Sequence, residues 1–419
     1  MNTFRLGRLV GVLGVSFLVF ALAAYGSALL IGPLPAATAT LVSPAMSASV
    51  PSPPVMPSNG ASAIIAPGRL APIASAGKLE PLPMASATKV VTALVVLDTH
   101  PLAPGDDGPA VTITDADFAY YANYAADGAR TVAVIVDDTW SERELLQAMV
   151  LGSSNNHADT LAAWAFGSVD AYLIAASAWL AAHDLTGITV VDTNGLHDAS
   201  VGTATDLARL TALAASEPVF SEMLADPAAA LAGMPGVINT TSFLPELGVM
   251  GVSLSSTDAA GICLLFTATL STPPVGDDAG VYSFTGAIMG EPDYDTLTAD
   301  VTALMASAHG GVGSVPLLTE GDVYVTYVTA WGQTASGVVA TARSELGWQT
   351  GRTPRPDITL REISTGHAGA DIGRAVVTTG TNEVASPLIL DGTLSDPGLG
   401  WRLMNPIPTI EALIDSRRD

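Results

Sequence analysis

Residues 84–97 read MASATKVVTALVVL, with Ser86 three positions ahead of Lys89 at the head of an apolar helical run. The chain holds only two lysines, Lys78 and Lys89, against fourteen arginines. An arginine would serve solubility or a surface ion pair equally well. Its guanidinium stays protonated in a protein, however, while a lysine amine can shed its proton and act as a base. A helix beginning at Ser86 puts Lys89 about one turn on and on the same face, within reach of the serine oxygen. That pairing is a nucleophile beside its base, and the Ser86 N–H at the helix start would face a developing oxyanion. Alone, S-x-x-K also arises by chance in many proteins.

Length and charge narrow the setting. A chain of 419 residues is long enough for two domains or more. Its formal charge of -24 comes from 40 acidic residues against 16 basic ones, with no basic run, so nucleic acid is not an expected partner. The acidity reads as a solvated surface and says little about substrate. Cys263 is the single cysteine, which excludes an intrachain disulfide and a cysteine-based metal site. The six histidines (His100, His157, His183, His197, His309 and His367) show no paired metal spacing and read as surface or loop residues. No metal or organic cofactor is implied.

The amino terminus argues for export. Arg5 and Arg8 precede residues 9–32, which carry no charge over 24 positions and as a helix would span a bilayer. Residues 1–32 therefore read as a signal anchor or a signal peptide. The length of the apolar run favours an uncleaved anchor, and small-residue sites such as Ala36-Ala37-Thr38-Ala39 keep cleavage open. Either way the body faces outside the cytoplasm, towards the cell wall, held to the membrane or secreted. Residues 33–61, rich in Pro, Ala and Ser and free of charge, read as a semi-extended linker.

From 62 to 308 the pattern is that of an α+β domain. SERELLQAMVLG predicts a helix with Ser141 and Glu144 as a capping box, and residues 170–185 and 203–216 predict amphipathic helices. GICLLFTATL (261–270) and GVYSFTGAIM (280–289) predict two apolar strands, and residues 293–308 a closing helix. Helices in the middle with strands at both ends imply a sheet completed late, and a cleft where helices meet sheet. Beyond, residues 309–419 carry five short alternating runs that predict a small all-β domain.

A second chemical element is SSNNHADTLA, where Ser153, Ser154 and Asn155 follow a capped helix and open the next one. As plain structure, serine and asparagine after a glycine are ordinary stop and cap residues. Taken with S-x-x-K they carry more. S-x-x-K, then S-x-N some 65 residues on, then a strand with K-T-G is the signature set of the penicillin-recognising serine enzymes. The chain resembles the low-molecular-mass D-alanyl-D-alanine carboxypeptidases of peptidase family S11, of the kind found in high-GC Gram-positive bacteria. The likeness runs through MASATKVVTALVVLD, SSNNHADTLAAWAFGS, VVDTNGLHD with GTATDLARLTALA, and INTTSFLPELGVMGVSLSSTDAAGICLLF, and ends at LGWRLMNP.

The resemblance implies a β-lactamase/transpeptidase-like domain, with a five-stranded antiparallel sheet flanked by a helical subdomain, and then a β-rich tail. It also implies roles. Ser86 would be acylated, Lys89 would be its base, and Ser153 would relay a proton to the leaving D-alanine. Asn155 would hold the substrate's peptide group. The oxyanion would lie between the N–H groups of Ser86 and Ser256. Peptidoglycan stem pentapeptides and β-lactams are the implied ligands. Asn194-Gly195-Leu196-His197 reads as a turn supporting the cleft.

One element departs from the pattern. Where relatives have G-x-K-T-G-x-T-D-x-A-G, this chain has Gly251-Val252-Ser253-Leu254-Ser255-Ser256-Thr257-Asp258-Ala259-Ala260-Gly261. Ser253 stands at the lysine, Leu254 at the threonine and Ser255 at the glycine. The lost charge-assisted hydrogen bond is worth about 1.5 to 3 kcal/mol. A side chain at Ser255 narrows the strand's approach to substrate. Two readings follow: acylation through Ser86 and Lys89 with a slowed or altered substrate, or an impaired or inactive descendant that binds peptidoglycan or a cell-wall partner. The retained lysine favours the first.

Overall fold

The computed structural model describes residues 32–44, 51–226, 228–276, 279–351, 355–380 and 382–416, with scattered positions between 13 and 30. The expected anchor or signal peptide lies largely outside the described residues. Among these, no single helix is long and apolar enough to cross a membrane. The chain forms two compact units, residues 49–315 with 346–352 and, separately, 1–48 with 316–345 and 353–419.

The first unit is built on a five-stranded antiparallel sheet. Its strands are β1 (Ala61–Ile65), β2 (Ala74–Gly77), β3 (Val249–Thr257), β4 (Gly261–Ser271) and β5 (Val281–Glu291), in spatial order β3-β4-β5-β1-β2. The central strands are largely apolar because both sheet faces are covered. Successive residues point to opposite faces. Thus Ala63, Ile65, Leu265 and Ala287 enter the core shared with the helices, and Ile64, Leu264, Phe266 and Ile288 enter a second core. A closing helix, Tyr294–Gly311, buries Leu297, Val301 and Leu304 in that second core. Trp348, arriving late in the chain, packs edge-on against Phe284 there and donates from Nε1 to the Ser52 carbonyl at 2.9 Å.

Between β2 and β3 lies the helical part: α1 (Thr88–Thr99), α2 (Asp115–Ala126), α3 (Glu142–Val150), α4 (Asn155–Phe166), α5 (Val169–Ala182) and α6 (Ala204–Ser216). The capping box at Ser141 and Glu144 opens α3 as expected, with Ser141 N–H donating to the Glu144 carboxylate at 2.7 Å. Helix α1 is buried along nearly its whole length, which explains its largely apolar sequence.

The second unit holds a six-stranded antiparallel sheet whose order is Thr38–Leu41, Val323–Val328, Thr334–Val339, Asn382–Leu390, Asp371–Thr379 and Asp357–Leu360, and it is not all-β as expected, because helices Gly398–Met404 and Pro406–Asp415 end it. The stretch 33–61 is thus not simply a linker. Thr38–Leu41 pairs with Val325–Val328, and Met56 packs on the second core of the first unit. The strand TATL is four residues long and exposed at each, so no apolar alternation marks it. One histidine reading also fails: His157 is wholly buried on α4, where desolvation lowers its pKa to about 3 and keeps the ring neutral against Trp140.

Candidate active site

Ser86 sits in a tight 3-10 turn, Ala85–Ala87, immediately before α1. Ala85 has a positive φ of 46°, a conformation that costs a non-glycine residue about 1–3 kcal/mol and persists only where surroundings impose it. Two contacts impose it here. Thr88 Oγ1 donates to the Ala85 carbonyl at 3.0 Å, and Gly195, itself at φ +80°, lies so close to that carbonyl that a Cβ would overlap it. The helix proper therefore starts two residues later than the simple reading from Ser86, and the strained turn lifts the serine off the helix end.

Lys89, one turn on, is buried, and its Nζ lies 3.0 Å from Ser86 Oγ and 3.0 Å from the Asn194 carbonyl oxygen. Burial pulls its pKa from 10.5 to about 7, despite the opposing pull of Asp192 and Asp159; the charge of Arg130 adds to the lowering. Near neutrality a large share of the amine is unprotonated, and the same 3.0 Å contact then lets the Ser86 hydroxyl donate to Nζ. The chain 192–197 supports this amine as expected, but through bonds the sequence does not show. Asn194 Nδ2 donates to Tyr124 Oη at 2.7 Å, Tyr124 donates to Asp159 Oδ2 at 2.7 Å, and Thr193 donates to Asp159 Oδ1. Burial raises the Asp159 carboxyl, and the hydrogen bonds from Thr193 and Tyr124 pull against it. Asp192 accepts from the N–H groups of Gly195 and His197 and so shapes the turn.

Ser153 closes the other side. It also has a positive φ, 52°, and its Oγ is 3.3 Å from Ser86 Oγ. Asn155, the first residue of α4, donates from both its backbone N and its Nδ2 to the Arg130 carbonyl, each at 2.9 Å. Its Oδ1 is buried and has no hydrogen-bond partner among the described residues. An unpaired acceptor of this kind costs about 1–3 kcal/mol.

The third wall is β3, an edge strand of the sheet. Ser253 is buried and lines a cleft with Leu254, Ser86, Lys89, Ser153 and Thr241. Thr240 and Thr241, not anticipated from the sequence, tie the end of α3 to the strand: Thr240 donates to the Leu151 carbonyl and Thr241 Oγ1 to that of Gly251, both at 2.9 Å. Ser255 is half-buried, and its Oγ accepts from the Ser86 backbone N–H at 3.1 Å. Ser256 is exposed. The structure therefore gathers Ser86, Lys89, Ser153, Ser253 and Ser255, with Asn155 on the adjoining turn. Of the residues sequence reading missed, Asp159 had the clearest signal, the single acid in helix α4.

A cleft between helices and the edge of an antiparallel sheet thus sets a serine against a lysine of lowered pKa. The family model described as D-alanyl-D-alanine carboxypeptidase matches residues 70–276. Over that stretch the chain is similar to this peptidase family, S11. A D-alanyl-D-alanine endopeptidase of Pseudomonas aeruginosa is 28% identical over 202 residues, 46% of this chain and 61% of that protein. The chain thus matches about three fifths of the length of this curated relative. Among solved structures, penicillin binding protein 6B from Escherichia coli matches with a TM-score of 0.58 at 18% identity, covering 82% of this chain and all of that one. The D-alanyl-D-alanine carboxypeptidase DacD from Francisella tularensis matches at 0.55 and 16% identity, covering 85% and 96%. These two structural likenesses bear on the fold.

Proposed function

We propose that this chain is a serine-type D-alanyl-D-alanine carboxypeptidase that trims peptidoglycan stem peptides through an acyl-enzyme on Ser86. The observation that carries the reading is the 3.0 Å approach of a buried amine, titrating near neutrality, to the Ser86 hydroxyl. Unprotonated Lys89 takes the Ser86 proton as Oγ attacks the carbonyl carbon of the penultimate D-alanine. The bond from that carbon to nitrogen breaks, and the proton passes by way of Ser153 to the leaving amine. Water then releases the acyl group by the reverse traffic.

Strand β3 lies at the edge of the sheet, where an extended peptide can add alongside it. Asn155 Oδ1, unpaired and buried, fits a substrate amide N–H. At Ser253 a substrate's terminal carboxylate meets a hydroxyl where relatives present an amine, so turnover of D-Ala-D-Ala is expected to be slow. The same acylation would trap β-lactams. We place the body outside the cytoplasm facing the cell wall, with the N-terminal apolar segment as anchor or leader.

Incubating the full-length chain with a fluorescent penicillin tests the reading. A denaturation-resistant adduct should form and should vanish in Ser86→Ala. No adduct at high penicillin concentration would turn the assignment towards a peptidoglycan-binding protein.

A further inference from the structure

We propose that Ser255 plugs the oxyanion site and limits the rate at which Ser86 is acylated, a proposal that rests on the reading of Ser86 as nucleophile. An oxyanion is stabilised by donors about 2.7–3.1 Å away, fixed before the reaction begins. The Ser86 N–H is such a donor, and the atom found at that distance, 3.1 Å, is Ser255 Oγ. A carbonyl oxygen entering to accept from the same N–H must occupy the place this hydroxyl holds.

The plug is local and reversible. Ser255 is half-buried on an edge strand, and a change of χ1 to another staggered well withdraws its oxygen without moving the backbone. A glycine at this position would leave the Ser86 N–H open to an incoming carbonyl. With serine, each acyl donor first exchanges the internal hydrogen bond for its own and gains correspondingly less from the site. The contact joins residues 169 positions apart, so it depends on the folded cleft and not on a local turn.

The effect of one neutral hydrogen bond sets the scale. Removing it should speed acylation roughly 3- to 10-fold. The test is the second-order rate of fluorescent-penicillin labelling of the full-length chain in native, Ser255→Ala, Ser255→Gly and Ser255→Thr forms. Alanine and glycine should both label faster than native by about that factor, with an unchanged pH midpoint. Threonine keeps the hydroxyl on a stiffer χ1 and should label more slowly than native. Alanine labelling at the native rate overturns the plug, and alanine labelling more slowly overturns it in favour of a hydroxyl that assists the oxyanion. Both results would leave Ser86 as the nucleophile. Absence of adduct from every form would instead overturn that reading, and this one with it.

Discussion

The helical wall of the cleft holds its amine at the end of a run of hydrogen bonds, from Asp159 through Tyr124 and Asn194 to Lys89. The strand wall presents Ser253, Leu254 and Ser255, two hydroxyls and an aliphatic side chain, with no charge among them. The two walls face the same serine but answer to different physics. On the helical side, burial and distant carboxylates set the protonation of one amine, so function depends on long-range placement. On the strand side the side chains act directly by what they offer a substrate, so local substitution should rewrite the chemistry. The difference assigns proton transfer to one wall and substrate selection to the other.

The largest expected effect breaks the helical wall. Lys89→Met removes the base, and Lys89→Arg keeps the charge but supplies no free lone pair near neutral pH. Both should lower penicillin labelling by about a thousandfold or more. An arginine variant that labels at the native rate would show that charge, and not proton transfer, is what position 89 supplies.

Next in size is a repair of the strand wall. Ser253→Lys with Leu254→Thr and Ser255→Gly restores the cation beside Ser153 and clears the oxyanion site. D-alanine release from a stem-peptide mimic should rise roughly 30- to 1000-fold, the value of one charge-assisted hydrogen bond multiplied by the gain from the cleared oxyanion site. If release is unchanged while labelling stays intact, substrate selection resides elsewhere than on β3.

How much of this was open to sequence reading follows the same division. Helix α1 and strands β4 and β5 were legible because burial on both faces leaves mostly apolar runs, and α3 because Ser141 and Glu144 spell a cap. The nucleophile, its lysine and the S-x-N turn were legible as spacings. The φ of +46° at Ala85 was not, because alanine carries no mark of such a conformation and the cause sits at Gly195, 110 positions away. Nor was the bond from Ser86 N–H to Ser255, which exists only once β3 reaches the turn. The strand Thr38–Leu41 was hidden for the opposite reason: an exposed edge needs no apolar side chains.

The smallest effect probes how the helical wall tunes its amine. Acylation requires unprotonated Lys89, so labelling should rise with pH through about 7, not 10.5, falling tenfold per unit well below the midpoint. The Asp159 carboxylate favours the protonated amine and so holds this midpoint up against burial. Asp159→Asn removes that charge, leaving burial less opposed, and the midpoint should move to lower pH. The rate on the high-pH plateau should stay within about tenfold of native, since the hydrogen bonds disturbed are second-hand to Ser86. A pH series of labelling rates separates the two quantities. A midpoint that moves upward would mean that Asp159 acts on Lys89 through the position of Asn194 more than through its charge, and Tyr124→Phe, which cuts that link while sparing the carboxylate, should then reproduce the shift.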